Sequence, residues 1–422
     1  MYDCAWETDF SFTVPTNLRS GIYAAKLIDE QDNEEMIPFF VTAKQGKPQS
    51  RICVLIPSFT YTVYANIARG NTSKKMLERI KEWSASPWTT DNFPQFGLST
   101  YNYHSDGSGI SSSSRRRPIL TMRSNVISYP GVPGSGCRHF PADSHLWYWL
   151  TTKGYEYDVI TDDELHKYGL AAIEKYSVLL TCSHPEYHTP QSLNALQEYT
   201  NTGGHLMYLG GNGFYWKVAV SDVWPDAVEI RRGEGGIRAW ASEPGEYYNA
   251  FDGEYGGLWR RNGRAPQVLT GVGFTSQGDH YGAPYRRTPE SYSNEWAWVF
   301  EGITEEIIGD FGLSGGGAAG FELDRADTML GTPLNAVTLA SSEGHDESFV
   351  LVPEDILTHH DTWPHKPIKE LIRADIVYFE TAKGGGVFSV GSITFCGSLP
   401  HNNCENNISK MVENVIRKFL SN

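Results

Sequence analysis

The sequence lacks any apolar run long enough to cross a membrane. None of its hydrophobic stretches approaches the roughly 20 consecutive apolar residues that a membrane-spanning helix requires. The first twelve residues also lack the basic start of a secretory signal peptide. We therefore expect a cytoplasmic protein with no membrane partner.

Metal-finger and dinucleotide-binding motifs are also missing. The six cysteines are scattered, with no Cys-x-x-Cys pair, so the sequence predicts buried thiols rather than a zinc finger or a disulfide framework. The glycines of 210–213 lack the spacing of the G-x-G-x-x-G fingerprint. A site for a dinucleotide cofactor is therefore not expected.

Positive charge is scarce, whereas apolar side chains are plentiful. The formal net charge of −15 disfavours nucleic acid as a partner. Hydrophobic residues make up 40% and aromatic residues 13% of the 422 positions. This composition is typical of a soluble globular protein with about two or three domains.

The order of the predicted elements indicates an α/β fold. A continuous apolar run at 51–57 is typical of a buried parallel strand. Strand and helix patterns then alternate regularly, with helices predicted over 144–152 and 162–168 and a strand over 155–160. We therefore predict a mostly parallel sheet flanked by helices.

The first 46 residues differ from the rest of the chain. Residues 1–46 contain three short β-like segments that bury little by themselves, and we interpret them as a β-strand appendage, the remnant of a β-sandwich domain. Residues 47–422 are predicted to form the α/β domain, with long insertions at about 59–142 and 221–375. A strand pair and an amphipathic helix are expected to close this domain. The ranges are 10–14, 21–27 and 36–41 for the β-like segments, 376–380 and 386–395 for the strand pair, and 406–420 for the helix.

The segment 177–186 (SVLLTCSHPE) carries the most informative motif. Its apolar run opens directly into His184-Pro185-Glu186, and side chains two residues apart on an extended segment face the same side. Thr189 and Pro190 then predict the start of a helix, and a second buried strand leads to Asn212. Ligands of open α/β sheets bind at such carboxyl ends, so the pattern predicts half of a metal site.

A second polar segment offers a further ligand. Residues 101–106 (YNYHSD) place two phenols, an imidazole and a carboxylate in one turn. A tyrosinate is a hard anionic oxygen that suits a trivalent cation. By spacing alone the combination with His184 and Glu186 is a weak signal, and it does not distinguish Tyr101 from Tyr103.

Several other side chains have both a functional and a structural interpretation. Aromatic residues near the strand ends could enclose a small apolar group or belong to the core. Three consecutive arginines could bind an anion or form a solvated loop. A histidine group near residue 360 could bind metal or lie in a loop. These residues are Tyr61, Tyr64 and Phe214 for the aromatic group, Arg115, Arg116 and Arg117 for the arginines, and His359, His360 and His365 for the histidines.

Blocks along essentially the whole chain resemble the large (β) subunit of N,N-dimethylformamidase and its relatives. The resemblance implies a mononuclear iron(III) amidohydrolase with Tyr, His and Glu ligands, on a fold related to the class I glutamine amidotransferases. Family members carry a lectin-like β domain ahead of this region, so we interpret 1–46 as its final strands. The blocks include VLIPSFTYTVYAN (54–66), GLSTYNYHSDGSG (97–109), LLTCSHPEYHT (179–189), GGHLMYLGGNGFYW (203–216) and GAAGFELDRAD (317–327).

The resemblance also implies roles for individual residues. His184 and Glu186 match the iron-binding pair, and Tyr101 is the best match for the phenolate, with Tyr103 as the alternative. Glu322 is expected to be the catalytic base and Asn212 a polar contact that stabilises the developing oxyanion. We further expect one Fe3+ per chain, a small amide as substrate with Tyr103, Tyr61 and Phe214 as its contacts, a small-subunit partner and a homo-oligomer. From sequence alone, Glu322 could instead pair with Arg325 at the surface, and Asn212 could be a left-handed turn residue.

Two other functions compete with this interpretation. Cys182, with His184 or His188, could be a metal-free nucleophile of amidotransferase type, although no glycine forms the sharp elbow that such a nucleophile uses. Alternatively, the chain could be a non-catalytic scaffold that binds sugars or another chain.

Overall fold

The computed structural model describes residues 2–68, 74–86, 88, 90–123, 125–127, 134–233, 239–359 and 367–421. Of the predicted loop histidines, His360 and His365 lie outside these residues. The backbone of His359 ends a short helix, and its side chain is outside the description.

Strands and helices alternate through the described chain. The strands are β1 (Gly21–Ile28), β2 (Glu34–Val41), β3 (Ile52–Ile56), β4 (Ser112–Ser114), β5 (Asp158–Thr161), β6 (Val178–Thr181), β7 (Tyr187–His188), β8 (His205–Tyr208), β9 (Trp216–Lys217), β10 (Ala219–Val220), β11 (Ala227–Glu229), β12 (Gly273–Ala283), β13 (Tyr285–Arg287), β14 (Ile307–Ile308), β15 (Ala319–Arg325), β16 (Val337–Ser342), β17 (Val350–Leu351), β18 (Asp375–Glu380) and β19 (Gly386–Ser389). The α-helices are α1 (Ser58–Val63), α2 (Lys74–Glu82), α3 (Phe140–Thr152), α4 (Asp162–Tyr168), α5 (Pro190–Asn201), α6 (Gln267–Thr270), α7 (Pro353–His359), α8 (Ile368–Leu371) and α9 (Asn407–Ser421).

A mixed sheet of nine strands forms the centre of the described structure, in the order β14-β13-β16-β18-β19-β8-β6-β3-β5. The strands from β19 to β5 pair in parallel, whereas those from β14 to β19 pair antiparallel. The prediction of an α/β fold is confirmed, but the prediction of a mostly parallel sheet is wrong. A short turn joins β18 to β19, and such a connection allows only an antiparallel pair.

The parallel half forms where the sequence signals are strongest. Thr189 caps α5 and accepts a hydrogen bond from the backbone N–H of Ser192 at 3.3 Å, with Pro190 in the first turn. The helix joins β6 to β8, which pair in parallel as predicted. All five strands of this half are fully buried, which explains the continuous apolar sequence of β3 and the apolar centres of the others.

The closing helix α9 presents its apolar face to the core. Ile408, Met411, Val412, Val415 and Phe419 are all completely buried, as the amphipathic pattern predicts. The predicted strand over 386–395 is shorter than expected and ends at Ser389, because the chain then turns into a 3-10 helix at Phe395–Ser398.

The N-terminal hairpin β1–β2 forms a two-stranded sheet of its own. Phe40 of β2 packs against the rings of Tyr61 and Phe140, which attaches the hairpin to the α/β core. The predicted strand over 10–14 is absent from the described residues. Phe10 and Phe12 are exposed there, because no described strand pairs with this segment.

The three consecutive arginines form contacts that neither sequence interpretation anticipated. Arg115 binds Asp163 with two hydrogen bonds, and Arg116 pairs with Asp226. Arg117 is buried and donates to the backbone oxygens of the segment that precedes Tyr101. These arginines therefore hold loops together around the site.

Candidate active site

The site lies at the carboxyl ends of β3, β6 and β8, where the parallel half of the sheet predicts it. The segment after β6 carries His184 and Glu186, and the turn after β8 carries Asn212. Helix α1 follows β3 and ends in Tyr64. Glu322 comes from β15, which reaches this edge because Leu323 bridges Ser392 just beyond β19.

His184 and Glu186 are in direct contact and almost completely buried. His184 Nε2 lies 2.7 Å from Glu186 Oε2, and His184 Nδ1 lies 3.1 Å from the Gly211 carbonyl oxygen. The carbonyl oxygen and the ionised carboxylate both accept hydrogen bonds, so the imidazolium form, with a hydrogen on each ring nitrogen, fits the two contacts. Burial by itself lowers the pKa of His184, but the Glu186 and Glu322 carboxylates more than offset it, so the pKa is raised.

A chain of three hydrogen-bonded tyrosine hydroxyls leads to Glu186. Tyr64 donates to Glu186 Oε2 at 2.8 Å, and Tyr101 donates to the Tyr64 oxygen at 2.6 Å. The Tyr101 and Tyr187 hydroxyls are 2.5 Å apart. Burial raises the pKa of all three phenols, and the Glu186 carboxylate raises it further. The predicted phenolate candidate Tyr101 therefore lies one hydroxyl away from Glu186.

A buried arginine faces this tyrosine cluster. The Arg232 guanidinium lies 4.3 Å from the centre of the Tyr101 ring and donates to the Tyr187 hydroxyl at 3.3 Å and to the Thr100 carbonyl at 2.9 Å. Arg232 has no accessible surface, and it forms no ion pair with a carboxylate of the described residues. Its charge lowers the pKa of Tyr101, against the larger effect of burial.

Asn212 links the two carboxylates of the site. Its Nδ2 donates to Glu186 Oε1 and to Glu322 Oε2, both at 3.2 Å. Glu322 Oε2 also lies 3.4 Å from His184 Nδ1. Asn212 Oδ1 is buried and has no hydrogen-bond partner in the described part of the chain, so this oxygen is free to accept one.

Glu322 is buried rather than paired at the surface. Burial raises the pKa of its carboxyl, and the charges of His184 and Arg138 oppose that shift. Arg325, its alternative partner from the sequence, instead pairs with Asp327 and Asp355. Asn212 has φ +48°, so the left-handed turn conformation and the site contacts occur in the same residue.

The structure does not join the three predicted substrate contacts to this cluster. Tyr103 is 50% exposed and its hydroxyl donates to the Ala239 carbonyl. Tyr61 donates to Asp143 at 2.5 Å within the main core. Phe214 stacks on His188 and packs in a second core cluster. Their contacts favour the structural interpretation for Tyr61 and Phe214, because both rings are already enclosed by protein.

Comparison with known proteins agrees with the resemblance of the sequence blocks. Residues 1–406 match the family model described as N,N-dimethylformamidase beta subunit-like, C-terminal. Two curated relatives, the N,N-dimethylformamidase beta subunits of Paracoccus aminophilus and an Alcaligenes species, are each 40% identical over 99% of this chain. The chain belongs to this family. It spans about half the length of these relatives, 55% in each case.

One solved structure shows a low similarity to this chain. A ThuA-like protein from Bacteroides uniformis is 12% identical and aligns with 66% of this chain and 83% of its own, at a TM-score of 0.33. Within the described residues of this family member, no helix is long and apolar enough to span a membrane.

The donors at the centre of the site fit a hard cation. Among the described residues, no group of three or more His, Cys, Asp or Glu side chains could hold a metal ion. The predicted set instead combines a phenol, Tyr101, with His184 and Glu186. Imidazole nitrogen and anionic oxygens suit iron, and the protons on His184 Nε2 and Tyr101 would give way to a cation. Asn212 Oδ1 adds a buried polar atom that has no hydrogen-bond partner among the described residues.

Sequence reasoning missed several residues around this cluster. Tyr64 was considered only as an aromatic wall, and Arg232, Tyr187, Tyr208 and Asp324 were not singled out. Tyr187 directly follows Glu186, and Asp324 lies two residues beyond Glu322 on a strand, so spacing could have found these two. No local signal marks Arg232, because it reaches the site from a distant loop.

Proposed function

We propose that this chain hydrolyses small N-substituted amides, such as formamides, to a carboxylate and an amine, with one bound Fe3+. The observation that carries the proposal is the cluster in which Tyr101 and Glu322 join His184 and Glu186, which follow the parallel strand β6. The name of the curated relatives supports the substrate class.

In this proposal Tyr101, His184 and Glu186 hold the iron. When bound, Fe3+ would supply a Lewis acid for the amide carbonyl and lower the pKa of a coordinated water. The protein arranges these ligands in advance. The Gly211 carbonyl orients the His184 ring, and Tyr64 and Asn212 each donate to one oxygen of Glu186.

Glu322 is the proposed general base. Its carboxylate takes a proton from the attacking water and returns it to the amine nitrogen as the C–N bond breaks. His184 and Asn212 both contact Oε2 and so fix the plane of the carboxylate. Because burial raises its pKa, Glu322 is a stronger base than an exposed glutamate.

The role of Asn212 differs from the one expected from sequence. Its Nδ2 already donates to two carboxylates, so it has no further hydrogen to offer an oxyanion without releasing one of them. We propose that Asn212 holds the Glu186 and Glu322 carboxylates in a fixed relative position. We also propose that its Oδ1 accepts a hydrogen bond from the attacking water.

The surroundings of Cys182 do not favour the metal-free alternative. The thiol is completely buried in the main core, and burial together with the Asp143 charge raises its pKa well above the usual value. A nucleophilic cysteine instead needs a lowered pKa and access to substrate. His184 and His188 both direct their ring nitrogens to other partners.

The proposal is tested on purified protein by metal analysis and by hydrolysis of a formamide. We expect about one iron per chain and a visible tyrosinate-to-iron(III) absorption band. Glu322→Gln should keep iron and colour but lose about 10²–10⁴ in turnover, because the amide cannot accept the proton. Cys182→Ala is the control and should retain activity. Loss of activity in Cys182→Ala with full activity in Glu322→Gln would reverse the assignment.

The assembly is a separate proposal. The relatives are named as beta subunits, and we propose that this chain also binds a small subunit and forms a homo-oligomer. Light scattering of the purified chain, alone and co-expressed with a small subunit, measures both. If the chain is inactive alone but binds iron, the missing partner or the non-catalytic scaffold becomes the better explanation.

A further inference from the structure

Asp324 accepts two hydrogen bonds that hold the turn carrying Asn212 in place, and these two contacts are called the Asp324 grip. Its Oδ1 accepts the backbone N–H of Asn212 at 2.7 Å, and its Oδ2 accepts the Tyr208 hydroxyl at 2.7 Å. The Tyr208 oxygen in turn accepts the backbone N–H of Gly213 at 2.6 Å. One carboxylate therefore binds two successive backbone amides, one directly and one through Tyr208.

The gripped turn has an unfavourable backbone conformation. Asn212 and Phe214 have φ values of +48° and +58°, in the left-handed region that residues with side chains rarely adopt. Such residues cost about 1–2 kcal/mol each and persist only where the surroundings fix them. A Cβ on Gly211 would lie 2.9 Å from the Glu322 carbonyl oxygen, so the turn is also packed closely against β15.

Strand β15 thus contacts the turn at two points. Glu322 and Asp324 are two residues apart, so their side chains face the same side of the strand. Glu322 accepts a hydrogen bond from the side-chain amide of Asn212, and Asp324 accepts one from its backbone N–H. The distance between the proposed base, Glu322, and the side-chain amide of Asn212 is therefore fixed by contacts between β15 and this turn.

We propose that Asp324 is a positioning residue for the reaction, which holds Asn212 between Glu186 and Glu322 through its two carboxylate oxygens. This inference rests on the proposed function. Both oxygens accept hydrogen bonds in the ionised form, and the negative charge strengthens both. A proton on Oδ1 would remove the acceptor of the Asn212 N–H, and a proton on Oδ2 would have to be donated to the Tyr208 oxygen, which leaves the Tyr208 hydroxyl hydrogen without this acceptor. The grip is therefore strongest when Asp324 is ionised.

The surroundings of Asp324 place its ionisation near neutral pH. Burial, opposed by the two hydrogen bonds, raises the pKa of Asp324 to about 7. Glu322 on the same strand raises it, and His184 lowers it. Tyr208 of β8 and Tyr285 of β13 are the phenols that face it, and Phe274 is its partner on β12.

Asp324→Asn and Tyr208→Phe test the grip on iron-loaded protein. Asn has one acceptor oxygen and no charge, so Asp324→Asn copies the protonated state. We expect turnover of a formamide about 10- to 100-fold lower, the scale of a small misplacement. In the wild type, protonation of Asp324 should lower the activity below about pH 7. Asp324→Asn should not show this decrease. Tyr208→Phe removes a donor that favours the ionised carboxylate, so the pKa of Asp324 should rise. The decrease in activity should therefore begin at a higher pH.

Amide hydrogen exchange of the peptide that contains Asn212 and Gly213 gives a readout independent of activity. After correction for intrinsic rates, wild-type protection should fall as the pH decreases through about 7, and protection in Asp324→Asn should not change with pH. Equal pH profiles of exchange in the two proteins, or a uniform loss of activity at all pH values, would overturn the proposal. If exchange behaves as expected but the wild type hydrolyses no amide, the grip stands and the proposed function fails.

Discussion

Two buried carboxylates on neighbouring elements differ in what surrounds them. Asp143 accepts hydrogen bonds from the Tyr61 hydroxyl and from the backbone and side chain of Ser183. Glu186 contacts Tyr64, His184 and Asn212. Tyr61 and Tyr64 are three residues apart at the end of α1, so one helix supplies a phenol to each carboxylate.

We interpret Asp143 as a structural carboxylate, and we propose a functional role for Glu186. Around Asp143, simple donors satisfy both oxygens, and apolar core residues surround the group. Around Glu186, by contrast, the contacts include an imidazole, and a second carboxylate and a second phenol lie one contact further away. Each carboxylate receives one phenol from α1, but an imidazole, a second phenol and a second carboxylate, all further candidate ligands for a cation, lie around Glu186.

The largest expected effect separates these two carboxylates. Glu186→Ala should abolish iron binding and formamide hydrolysis while the chain still folds, because an oxygen ligand is lost. Asp143→Ala should keep the iron and, like Glu186→Ala, lower the free energy of unfolding by about 1–3 kcal/mol for each buried donor that loses its acceptor. Metal analysis and chemical denaturation measure the two outcomes. Full iron occupancy in Glu186→Ala would remove Glu186 from the ligand set.

Asp324 provides a third carboxylate with a predicted pH signature. Its folded pKa of about 7 lies above the unfolded value near 3.9, so the folded chain binds the proton more tightly. The resulting stabilisation is complete below about pH 4 and is lost as the pH rises through about 7, by at most roughly 4 kcal/mol.

Asp324→Asn should therefore lose less stability than the wild type between about pH 4 and about pH 8. Thermal unfolding midpoints over this pH range measure the difference. Parallel pH curves for the two proteins would show that Asp324 does not titrate in this range, which would contradict the expected pH dependence of exchange at Asn212.

The smallest expected effects come from the two tyrosines of the comparison. Tyr61→Phe should cost about 1.5–3 kcal/mol of stability, the range for a hydrogen bond to a charged group, and leave turnover unchanged. Tyr64→Phe should have a similar cost but also shift the visible absorption band, because the Tyr101 oxygen loses its partner. Phenylalanine at either position keeps the ring packing, so each variant is the control for the other. An unshifted band in Tyr64→Phe, or a shifted band in Tyr61→Phe, would contradict the comparison.

Several local features of the fold could be predicted because their causes are local. Thr189 and Pro190 start α5 through capping and a fixed φ, and the spacing of apolar residues in α9 fixes its buried face. The antiparallel half of the sheet was not predicted, because the direction of each strand depends on the connection that leads into it. The strand over 10–14 was predicted from pattern alone, and pattern does not supply a pairing partner.

The sequence by itself determined which family this chain belongs to and which short segments carry its ligand candidates. His184-x-Glu186 and the 210–213 turn follow buried strands, and parallel strands end at one edge. Only the tertiary structure decided that Tyr101 and not Tyr103 meets the Glu186 cluster, and that Arg232 and Asp324 approach it. These contacts join residues far apart in the chain, so burial and hydrogen bonding in the folded state select them, and no local pattern records that selection.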